Sequence, residues 1–534
     1  MALRFLLFLC CSASFAQQPP AATAKGSVEG QVVSASGEPV RKAQVTLRST
    51  DQRNGGAYLV TTDTGGMFAF PDVDPGSYRA SAERAGFVRG EYGARSGGTV
   101  QVDSGQKVTG VLIRLTPQAV ITGRVVDEDG DPVAGASVSV MRYSYARGRR
   151  QLVSAGGNMS DDQGEYRIHS LPPGRYYVSA NWRPAMWGRG TQVEETFAPT
   201  YYPNAADITA AAPLAATAGS VLRGVDIHLA RKRTVTVSGK VVHPAGRPLA
   251  RGAFVYAARE GTGTWAARAS GTVQPDGTFF IRGVLPGSYI LVAEAREDTR
   301  RLTARQPVAV PPDGAEGVVL ALAARGAVSG RVRIDGPGER PLAGVAVYLE
   351  PHDDSPAAEA LSARVKADGS FTIENIAPEP YTVSVSGMPE GCYLASVRFG
   401  NEDALANGLD LTRGAAAPVE IVLSPAAGSV DVAVLDSRQQ PAAGATVVAV
   451  PEEPARRDSL QWYHSGTTDQ SGRVTLKNLA PGEYRLYAWE DVEAYAWMDA
   501  EMRRPFAARA QSLSMRENGR ESAQLTVIPA GAGE

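Results

Sequence analysis

The chain has 534 residues and a formal net charge of −2 at pH 7, and 21% of its residues are charged. This length is too great for one ordinary core and suits several domains of about 100 residues each. The net charge of −2 gives no electrostatic basis for nucleic-acid binding, and the 57 glycines and 35 prolines are dispersed as in turns rather than concentrated as in low-complexity segments.

The first 16 residues have the organisation of a secretory signal peptide. A cation, Arg4, precedes an apolar run from Phe5 to Cys11, and small residues follow up to Ala16. The apolar run is too short to span a bilayer. We therefore expect a signal peptide over residues 1–16, a flexible N-terminal segment over 17–25, and an exported chain without a transmembrane segment. Its destination, whether periplasmic, outer-membrane-associated or extracellular, is left open.

Cysteine usage fits export to an oxidising compartment. Cys392 is the single cysteine outside the predicted signal peptide, so no intrachain disulfide can form in the exported chain. A lone thiol can act as a nucleophile, but no histidine lies near Cys392 in the sequence. We favour a buried, small apolar side chain at this position.

A turn–strand–turn motif is written five times along the chain. In each copy a glycine precedes a tyrosine by twelve residues, and apolar residues alternate between them as in a half-buried strand. The five pairs are Gly66 and Tyr78, Gly164 and Tyr176, Gly277 and Tyr289, Gly369 and Tyr381, and Gly472 and Tyr484. In sandwich folds a tyrosine at a strand corner buries its ring and hydrogen-bonds its hydroxyl to upstream backbone, so the constant interval predicts a structural role.

A second turn separates the strand from the tyrosine. It reads Pro-Gly in four copies, as in Pro173-Gly174, and Pro378-Glu379 in the fourth copy. Proline sets φ near −65° and glycine accepts positive φ, which together predict a type II turn in four copies and another turn in the fourth.

The segment upstream of each motif repeats as well. Ile121-x-Gly123-x-Val125 leads through a Gly/Pro-containing turn to a second alternating stretch. Related openings begin at Val28, Val237, Val328 and, in weaker form, Val430. The anchor glycines are 92 to 113 residues apart, which is the size of one immunoglobulin-like sandwich and well above the roughly 20–50 residues of a solenoid repeat.

These spacings predict an all-β fold of five tandem immunoglobulin-like β-sandwich domains. The predicted domains cover residues 26–116, 117–231, 232–325, 326–426 and 427–534. The closing strand of one domain runs into the opening strand of the next with few intervening residues, so we expect a semi-rigid row of domains.

The combined motif resembles the carboxypeptidase regulatory-like family. It reads G-x-V-x-x-x-x-G-x-P-[VL]-x-x-A-x-V, followed by D-x-x-G-x-[FY]-x-[FI]-x-x-[LV]-x-P-G-x-Y, and the likeness covers nearly all of residues 26–534. The resemblance implies a transthyretin-like (prealbumin-type) sandwich, related to the Cna B-type modules of bacterial surface proteins. It implies no single activity, because such modules serve as scaffold, spacer or binding elements in many proteins.

The sequence lacks the common catalytic and metal-binding motifs. Its five histidines lie at least 15 residues apart, so no local zinc or iron pattern such as H-E-x-x-H occurs. The stretch GRVVDEDGDPVAGASVSV also resembles the entry to intradiol dioxygenases, but the histidine pair that holds iron in those enzymes has no counterpart here. Asp127, Asp129 and Asp131 mimic the start of a calcium loop without its twelfth-position glutamate, so we favour a turn over a weak calcium site. We predict no metal, no cofactor and no enzymatic activity.

Two insertions concentrate the aromatic residues. The candidate ligand-binding residues are Trp182, Trp187, Tyr201 and Tyr202 in the second domain, and Trp462, Trp489 and Trp497 in the fifth. Aromatic side chains on sandwich loops can stack on sugar rings or anchor a peptide partner. In the competing interpretation, which we favour, the long segments fold back and bury their aromatics as satellite clusters.

We therefore expect a non-enzymatic, exported bacterial protein for structural display or adhesion at the cell envelope, with a carbohydrate or an envelope protein as its partner. One alternative is a carbohydrate-binding protein that works with a polysaccharide-uptake system. Another is a hydrolase with a site at domain interfaces. The sequence leaves the oligomeric state open.

Overall fold

A computed structural model describes residues 24–51, 56–93, 98–146, 149–182, 195–249, 252–259, 268–298, 300–336, 340–351, 361–412, 414 and 417–530. Within these ranges the chain forms strands β1 to β44, and its three α-helices are single turns, α1 (Ala404–Asn407), α2 (Pro454–Arg457) and α3 (Ala500–Arg503). The predicted all-β class is confirmed. No helix in the described ranges has the length and apolar character needed to cross a bilayer. The predicted signal peptide lies outside the described residues. We use "unit" for a set of strands that shares one core cluster.

The first unit has nine strands in two sheets. They are β1 (Gly26–Ser34), β2 (Gln44–Ser49), β3 (Ala57–Thr61), β4 (Met67–Val73), β5 (Gly76–Glu83), β6 (Phe87–Val88), β7 (Gly90–Glu91), β8 (Thr99–Val102) and β9 (Lys107–Pro117). One sheet has the order β4-β1-β9-β6, and the other has the order β3-β2-β5-β7, with β8 also pairing with β5. Val28, Leu47, Phe70 and Ile113 belong to the core cluster between these sheets.

The second unit has eleven strands and one 3-10 turn, Ile208–Ala210. The strands are β10 (Ala119–Asp127), β11 (Ser137–Ala146), β12 (Arg149–Met159), β13 (Glu165–Leu171), β14 (Gly174–Asn181), β15 (Glu195–Phe197), β16 (Thr200–Tyr201), β17 (Leu214–Ala216), β18 (Val221–Leu222), β19 (Ile227–Leu229) and β20 (Arg231–Arg233). The sheets are β13-β10-β18 with β19 on β10, β12-β11-β14-β16 with β17 on β14, and the pair β15-β20. Ile121, Val138 and Ile168 lie in its core.

The third unit has eight strands. They are β21 (Val235–Val242), β22 (Phe254–Arg259), β23 (Arg268–Thr272), β24 (Thr278–Val284), β25 (Gly287–Glu297), β26 (Arg300–Val310), β27 (Ala315–Ala321) and β28 (Ala323–Ala324). Its sheets have the orders β24-β21-β27 and β23-β22-β25-β26-β28. Val237, Val255, Phe279 and Leu291 lie in its core.

The fourth unit has nine strands and helix α1. The strands are β29 (Gly326–Ile334), β30 (Ala346–Pro351), β31 (Leu361–Arg364), β32 (Ser370–Ile376), β33 (Pro380–Ser386), β34 (Tyr393–Phe399), β35 (Glu402–Asp403), β36 (Leu409–Asp410) and β37 (Val419–Ser424). Its sheets have the orders β32-β29-β37-β34-β35 and β31-β30-β33-β36. Cys392 is fully buried in the core of this unit, as the sequence indicated.

The fifth unit has seven strands, helices α2 and α3, and 3-10 segments at Leu460–Trp462, Ala496–Met498 and Arg504–Arg509. The strands are β38 (Gly428–Leu435), β39 (Thr446–Pro451), β40 (His464–Thr467), β41 (Arg473–Leu479), β42 (Gly482–Trp489), β43 (Gln511–Met515) and β44 (Arg520–Thr526). Its sheets have the orders β41-β38-β44 and β40-β39-β42-β43. One cluster lies between the sheets, and a second covers the outer face of β39 and β42.

The opening strand of each unit pairs in parallel with a closing strand of the same unit. The parallel pairs are β1 with β9, β10 with β18 and β19, β21 with β27, β29 with β37, and β38 with β44. Two parallel strands begin at the same edge of the sheet and end at the opposite edge. The chain therefore enters each unit at one end of this pair and leaves at the other.

The glycine of the opening G-x-V pattern permits this pairing. A Cβ on Gly123 would overlap the carbonyl oxygen of Val225 in the closing segment, and a Cβ on Gly239 would overlap that of Val318. In the fifth unit Val432 takes this position, and there β38 pairs with β44 in an uninterrupted register from Ser429 to Leu435. Close backbone approach therefore explains the glycine in the other units.

The units do not form the simple row that we expected. The fifth unit follows the fourth in sequence, yet Tyr145 of the second unit donates a 3.1 Å hydrogen bond to Asp499, and a Cβ placed on Gly93 of the first unit would lie 3.7 Å from Cα of Gly444. Short connections restrict only neighbouring units, so they do not predict contacts between units far apart in sequence.

Candidate functional site

The anchor glycines fasten each motif turn to the opening strand of the same unit. Gly164 has a φ of 72°, and its carbonyl accepts a 2.8 Å hydrogen bond from the amide of Val125. A Cβ on Gly164 would lie 2.5 Å from the carbonyl oxygen of Val125. The other anchor glycines have φ of 72° (Gly66), 87° (Gly277), 84° (Gly369) and 71° (Gly472), and each accepts the same 2.8 Å bond. Left-handed backbone and close approach both require glycine here.

An aspartate completes each turn by accepting backbone amides. The Oδ1 atom of Asp161 accepts from Gln163 and Glu165 at 3.0 and 2.8 Å, and Asp63 and Asp469 bind the corresponding amides of their units. In the third and fourth units the aspartate stands directly before the glycine, as Asp276 and Asp368. Hydrogen bonds from Thr278 and Ser370 lower the pKa of these two carboxyls. The recurrent aspartates are therefore engaged in turns.

The five recurrent tyrosines share one geometry. Each ring is buried, and each hydroxyl donates to the backbone carbonyl four residues upstream. The oxygen–oxygen distances are 2.7 Å for Tyr78, 2.5 Å for Tyr176, 2.8 Å for Tyr289, 3.1 Å for Tyr381 and 2.9 Å for Tyr484. Burial raises the pKa of Tyr78 and of Tyr484 to about 12, so both hydroxyls stay protonated donors over the physiological range.

The predicted type II turn at the Pro-Gly pairs is wrong. Gly76 and Gly174 do not take positive φ, and Gly287 and Gly482 have φ of 149° and 148°, far from the roughly +80° of a type II turn. These glycines start strands and pair with a neighbouring strand, which requires extended backbone. The left-handed residues lie further upstream, at Ser170, Gly283, Asn375 and Asn478.

The candidate aromatics of the second unit lie partly inside it. Trp182 is half-buried, donates its Nε1 hydrogen to the carbonyl of Ala134 at 2.9 Å, and meets Phe197 edge to face at 5.5 Å. Tyr201 is buried in a small cluster with Met141. Tyr202 packs half-buried against the core, and Trp187 lies outside the described residues. Ligand binding by Trp182 and Tyr202 stays a prediction.

The candidate aromatics of the fifth unit are buried. Trp489 stacks on Tyr487 with ring centroids 5.1 Å apart, and it lies with Trp497 in the outer cluster of β39 and β42. Trp462 is 8% exposed and carries the guanidinium of Arg456 over its ring at 4.6 Å. These positions correspond to the satellite cluster that we favoured, and none of the three rings is presented to solvent.

The outer cluster contains polar groups that the sequence did not reveal. The indole nitrogens of Trp489 and Trp497 are buried without a hydrogen-bond partner, as is the side-chain oxygen of Gln461. The guanidinium of Arg503 is also buried here and donates to the carbonyl of Trp497. An unpaired buried donor destabilises the state that contains it. The cluster is therefore less completely satisfied than the sandwich cores beneath it.

Two open clefts flank the fifth unit's insertion. One, of about 320 Å³, is lined by arginines and glutamates, and the other, of about 840 Å³, lies between the β38 end and the segment after α3. In the smaller cleft Arg485 pairs with Glu452, and Arg504 pairs with Glu501 at 2.9 Å. Two further arginines of the lining, Arg457 and Arg503, donate to the backbone carbonyls of Pro451 and Trp497, so the cleft carries an excess of positive charge.

The remaining candidates for chemistry serve structure. The Oδ1 atom of Asp127 accepts the amides of Asp129 and Asp131 at 3.1 and 3.0 Å, and its Oδ2 atom faces Arg231 at 3.1 Å, so it stabilises a turn. In the described part of the chain no three His, Cys, Asp or Glu side chains gather in a way that could hold a metal ion.

His464 gives the fifth unit a pH-dependent stability. Its partner across the β39–β40 ladder is the buried Ala449, so its ring faces the interior, and burial lowers its pKa to about 4. In the unfolded chain the histidine keeps a pKa near 6.5. Between pH 4 and pH 6.5 the unfolded state therefore binds more protons than the folded state, and the stability of the unit decreases as the pH is lowered. We expect the unfolding free energy of this unit to drop by about 2 kcal/mol from about pH 7.5 to pH 5.

Hydrogen exchange of the β40 amides at both pH values measures this drop. His464→Gln should flatten it, because glutamine does not titrate. The aspartates with lowered pKa act only below about pH 4 and leave this window unaffected. An equal drop in the variant would contradict the assignment to His464.

Comparison with known proteins bears on the first two units. Residues 27–116 and 120–196 match the family model of the carboxypeptidase regulatory-like domain, which confirms the resemblance read from the sequence. No curated protein sequence matches the chain significantly.

Several solved structures are similar to parts of the chain. The TIE protein of Bacillus anthracis is 14% identical over 56% of this chain and 51% of its own length, about half of it, with a TM-score of 0.17. The minor pilin GBS52 of Streptococcus agalactiae is 14% identical over 39% of this chain and 97% of its own, with a TM-score of 0.21. The major pilin subunit BcpA of Bacillus cereus is 11% identical over 77% and 99%, with a TM-score of 0.15. TM-scores this low transfer no property to the chain.

Proposed function

We propose that the chain is an exported, non-enzymatic protein of five tandem transthyretin-like sandwiches, with the boundaries predicted from the sequence. The match of residues 27–116 and 120–196 to the family model of the carboxypeptidase regulatory-like domain supports this proposal. Its role is structural display or adhesion at the bacterial cell envelope. The partner on this proposal is an envelope protein or a carbohydrate.

One observation carries the non-enzymatic part of this proposal. The polar groups that recur in all five units are the tyrosine hydroxyl and the turn aspartate, and both bind backbone of their own unit. A catalytic group must instead reach a substrate. Repetition therefore preserves the architecture of the units and leaves display and binding to the segments that differ between them.

Export and envelope association are tested together in bacteria that produce the full chain. We expect the protein in the envelope or medium fraction, accessible to added protease on intact cells or spheroplasts. The variant Leu7→Asp, which interrupts the predicted apolar run, should remain in the cytoplasm. Cytoplasmic retention of the unaltered chain, or hydrolysis of peptide, ester or glycoside substrates by the pure protein, would contradict the proposal.

The carbohydrate-binding alternative has one supporting observation. Trp182 is half-buried, and its orientation is fixed by Ala134 and Phe197, which gives the second unit a rigid ring near its surface. Calorimetric titration with envelope polysaccharides should show binding that weakens at least about tenfold in Trp182→Ala. Tyr495→Ala, which removes a 37% exposed ring from the fifth unit, is the matched control and should bind normally. Equal binding by all three proteins removes this alternative.

A further inference from the structure

A two-stranded ribbon projects from the second unit. Strands β11 and β12 pair along Ser137–Ala146 and Arg149–Met159, whereas β14 pairs with β11 only from Ser137 to Met141. Residues 142–146 and 149–153 therefore extend beyond the sheet as a ribbon. A two-stranded ribbon is marginally stable by itself in water, so this one requires support from another part of the molecule.

The fifth unit supplies that support through an insertion between β42 and β43, residues 490–510. Tyr145 packs against the outer cluster that contains Trp489 and Trp497, and its hydroxyl donates to Oδ2 of Asp499 at 3.1 Å. Burial, with the Asp499 hydrogen bond as a second cause, raises the pKa of Tyr145. The aromatic ring is thus held by both an apolar and a polar contact.

The opposite face of the ribbon binds the same insertion. Ser144 donates a hydrogen bond to Glu493, and Arg142 lies 3.8 Å from the same carboxylate. Successive residues of a strand point to opposite faces. Since Ser144 and Tyr145 both contact the insertion, the fifth unit contacts both faces of β11.

The docking residues of the insertion have positions fixed by their own unit. The Oδ1 atom of Asp499 accepts the amide of Glu501 at 2.8 Å and caps helix α3, which leaves Oδ2 for Tyr145. The ribbon sequence RYSYARGRR is basic, and the insertion sequence EDVEAYAWMDAE is acidic. Complementary charge of this kind favours one specific partner over others.

We propose that the insertion of the fifth unit is a docking surface for the basic, tyrosine-bearing ribbon of the second unit, and that this contact holds the chain in a closed arrangement. The first unit also approaches the fifth, since a Cβ placed on Gly93 would lie 3.7 Å from Cα of Gly444. The proposal is independent of the role at the envelope, because it concerns the chain's recognition of itself.

Small-angle scattering of the full exported chain tests the docking. Glu493→Arg removes the acceptor of Ser144 and faces Arg142 with a like charge. We expect its radius of gyration to rise by about a tenth or more above the unaltered chain, since released units no longer pack together. Combining Glu493→Arg with Tyr145→Ala should give at least the same rise. The exchange Arg142→Glu with Glu493→Arg restores opposite charges and should return most of the compactness.

The controls separate opening from unfolding and from self-association. Glu517→Arg makes the same charge change at an exposed turn of the fifth unit and should scatter like the unaltered chain. Thermal unfolding shows whether each variant is folded. Scattering over a series of protein concentrations shows whether it has the same oligomeric state as the unaltered chain. Quenching of tryptophan fluorescence by acrylamide should increase only in the opened variants. Folded Glu493→Arg and Tyr145→Ala/Glu493→Arg proteins that scatter like the parent, or an exchange variant as expanded as the single one, overturn the proposal.

Discussion

Tyr176→Ala is expected to destabilise the second unit strongly while its neighbours keep their stability. The ring of Tyr176 is completely buried in the core, and its hydroxyl donates to the carbonyl of Pro172 at 2.5 Å. Removing a buried aromatic ring costs about 3–5 kcal/mol, and the lost hydrogen bond adds about 1 kcal/mol. The free energy of unfolding of a domain of this size is about 5–15 kcal/mol in total, so little stability would remain.

Hydrogen exchange resolved by peptide measures this effect unit by unit. Amides of β10 and β14 should exchange at least about a hundredfold faster, which corresponds to 2.7 kcal/mol or more, whereas amides of β38 should be unaffected. Tyr177→Ala is the control, because that half-buried ring lies on the other face of β14 and should cost about 1 kcal/mol. If both variants exchange alike, the corner tyrosine is not a main support of the unit.

Gly164→Ala is expected to destabilise the second unit by about 3 kcal/mol. Left-handed backbone costs an alanine about 1–2 kcal/mol. The new Cβ would also lie 2.5 Å from the carbonyl oxygen of Val125 and 3.2 Å from Cβ of Pro132, which would disturb the hydrogen bond between the Val125 amide and Gly164. The turn and the opening strand would have to separate to relieve these contacts.

Gly130→Ala provides the matched comparison for this prediction. Gly130 has a φ of 85°, but nothing lies within 4 Å of a Cβ placed on it. The substitution Gly130→Ala should therefore lower the free energy of unfolding only by the cost of left-handed backbone for alanine, about 1–2 kcal/mol. Chemical denaturation, monitored by hydrogen exchange in the second unit, should give a clearly lower free energy of unfolding for Gly164→Ala than for Gly130→Ala. Equal stabilities would show that backbone conformation alone, and not close approach, selects glycine at position 164.

The repeated features of the fold could be predicted from the sequence because they are local. Alternation between Gly164 and Tyr176 defines a strand with one buried face, and a fixed interval places the tyrosine ring at a corner, which is where it lies. The same reasoning failed at Gly174. Its sequence context suits a type II turn, but pairing with Ala216, far along the chain, imposes an extended conformation.

The docking of the ribbon could not be predicted for a related reason. Tyr145 and Asp499 are 354 residues apart, and neither segment carries a pattern that names the other as its partner. The sequence showed that both insertions are aromatic, and it allowed either exposed or buried rings. The insertion folds back over the outer face of β39 and β42 and buries Trp489 and Trp497, which depends on the tertiary structure and not on local propensity.

The parallel pairing of opening and closing strands determines how each unit responds to mechanical load. The chain enters β29 at one end of the pair and leaves β37 at the other, so force on the two connections pulls these strands in opposite directions along their length. All the hydrogen bonds of the ladder then carry the shear together and must break nearly at once, whereas a hairpin pulled from one end opens one bond at a time. The parallel ladder of the opening and closing strands is therefore loaded in shear, and not peeled open from one end, when a unit is pulled through its two connections.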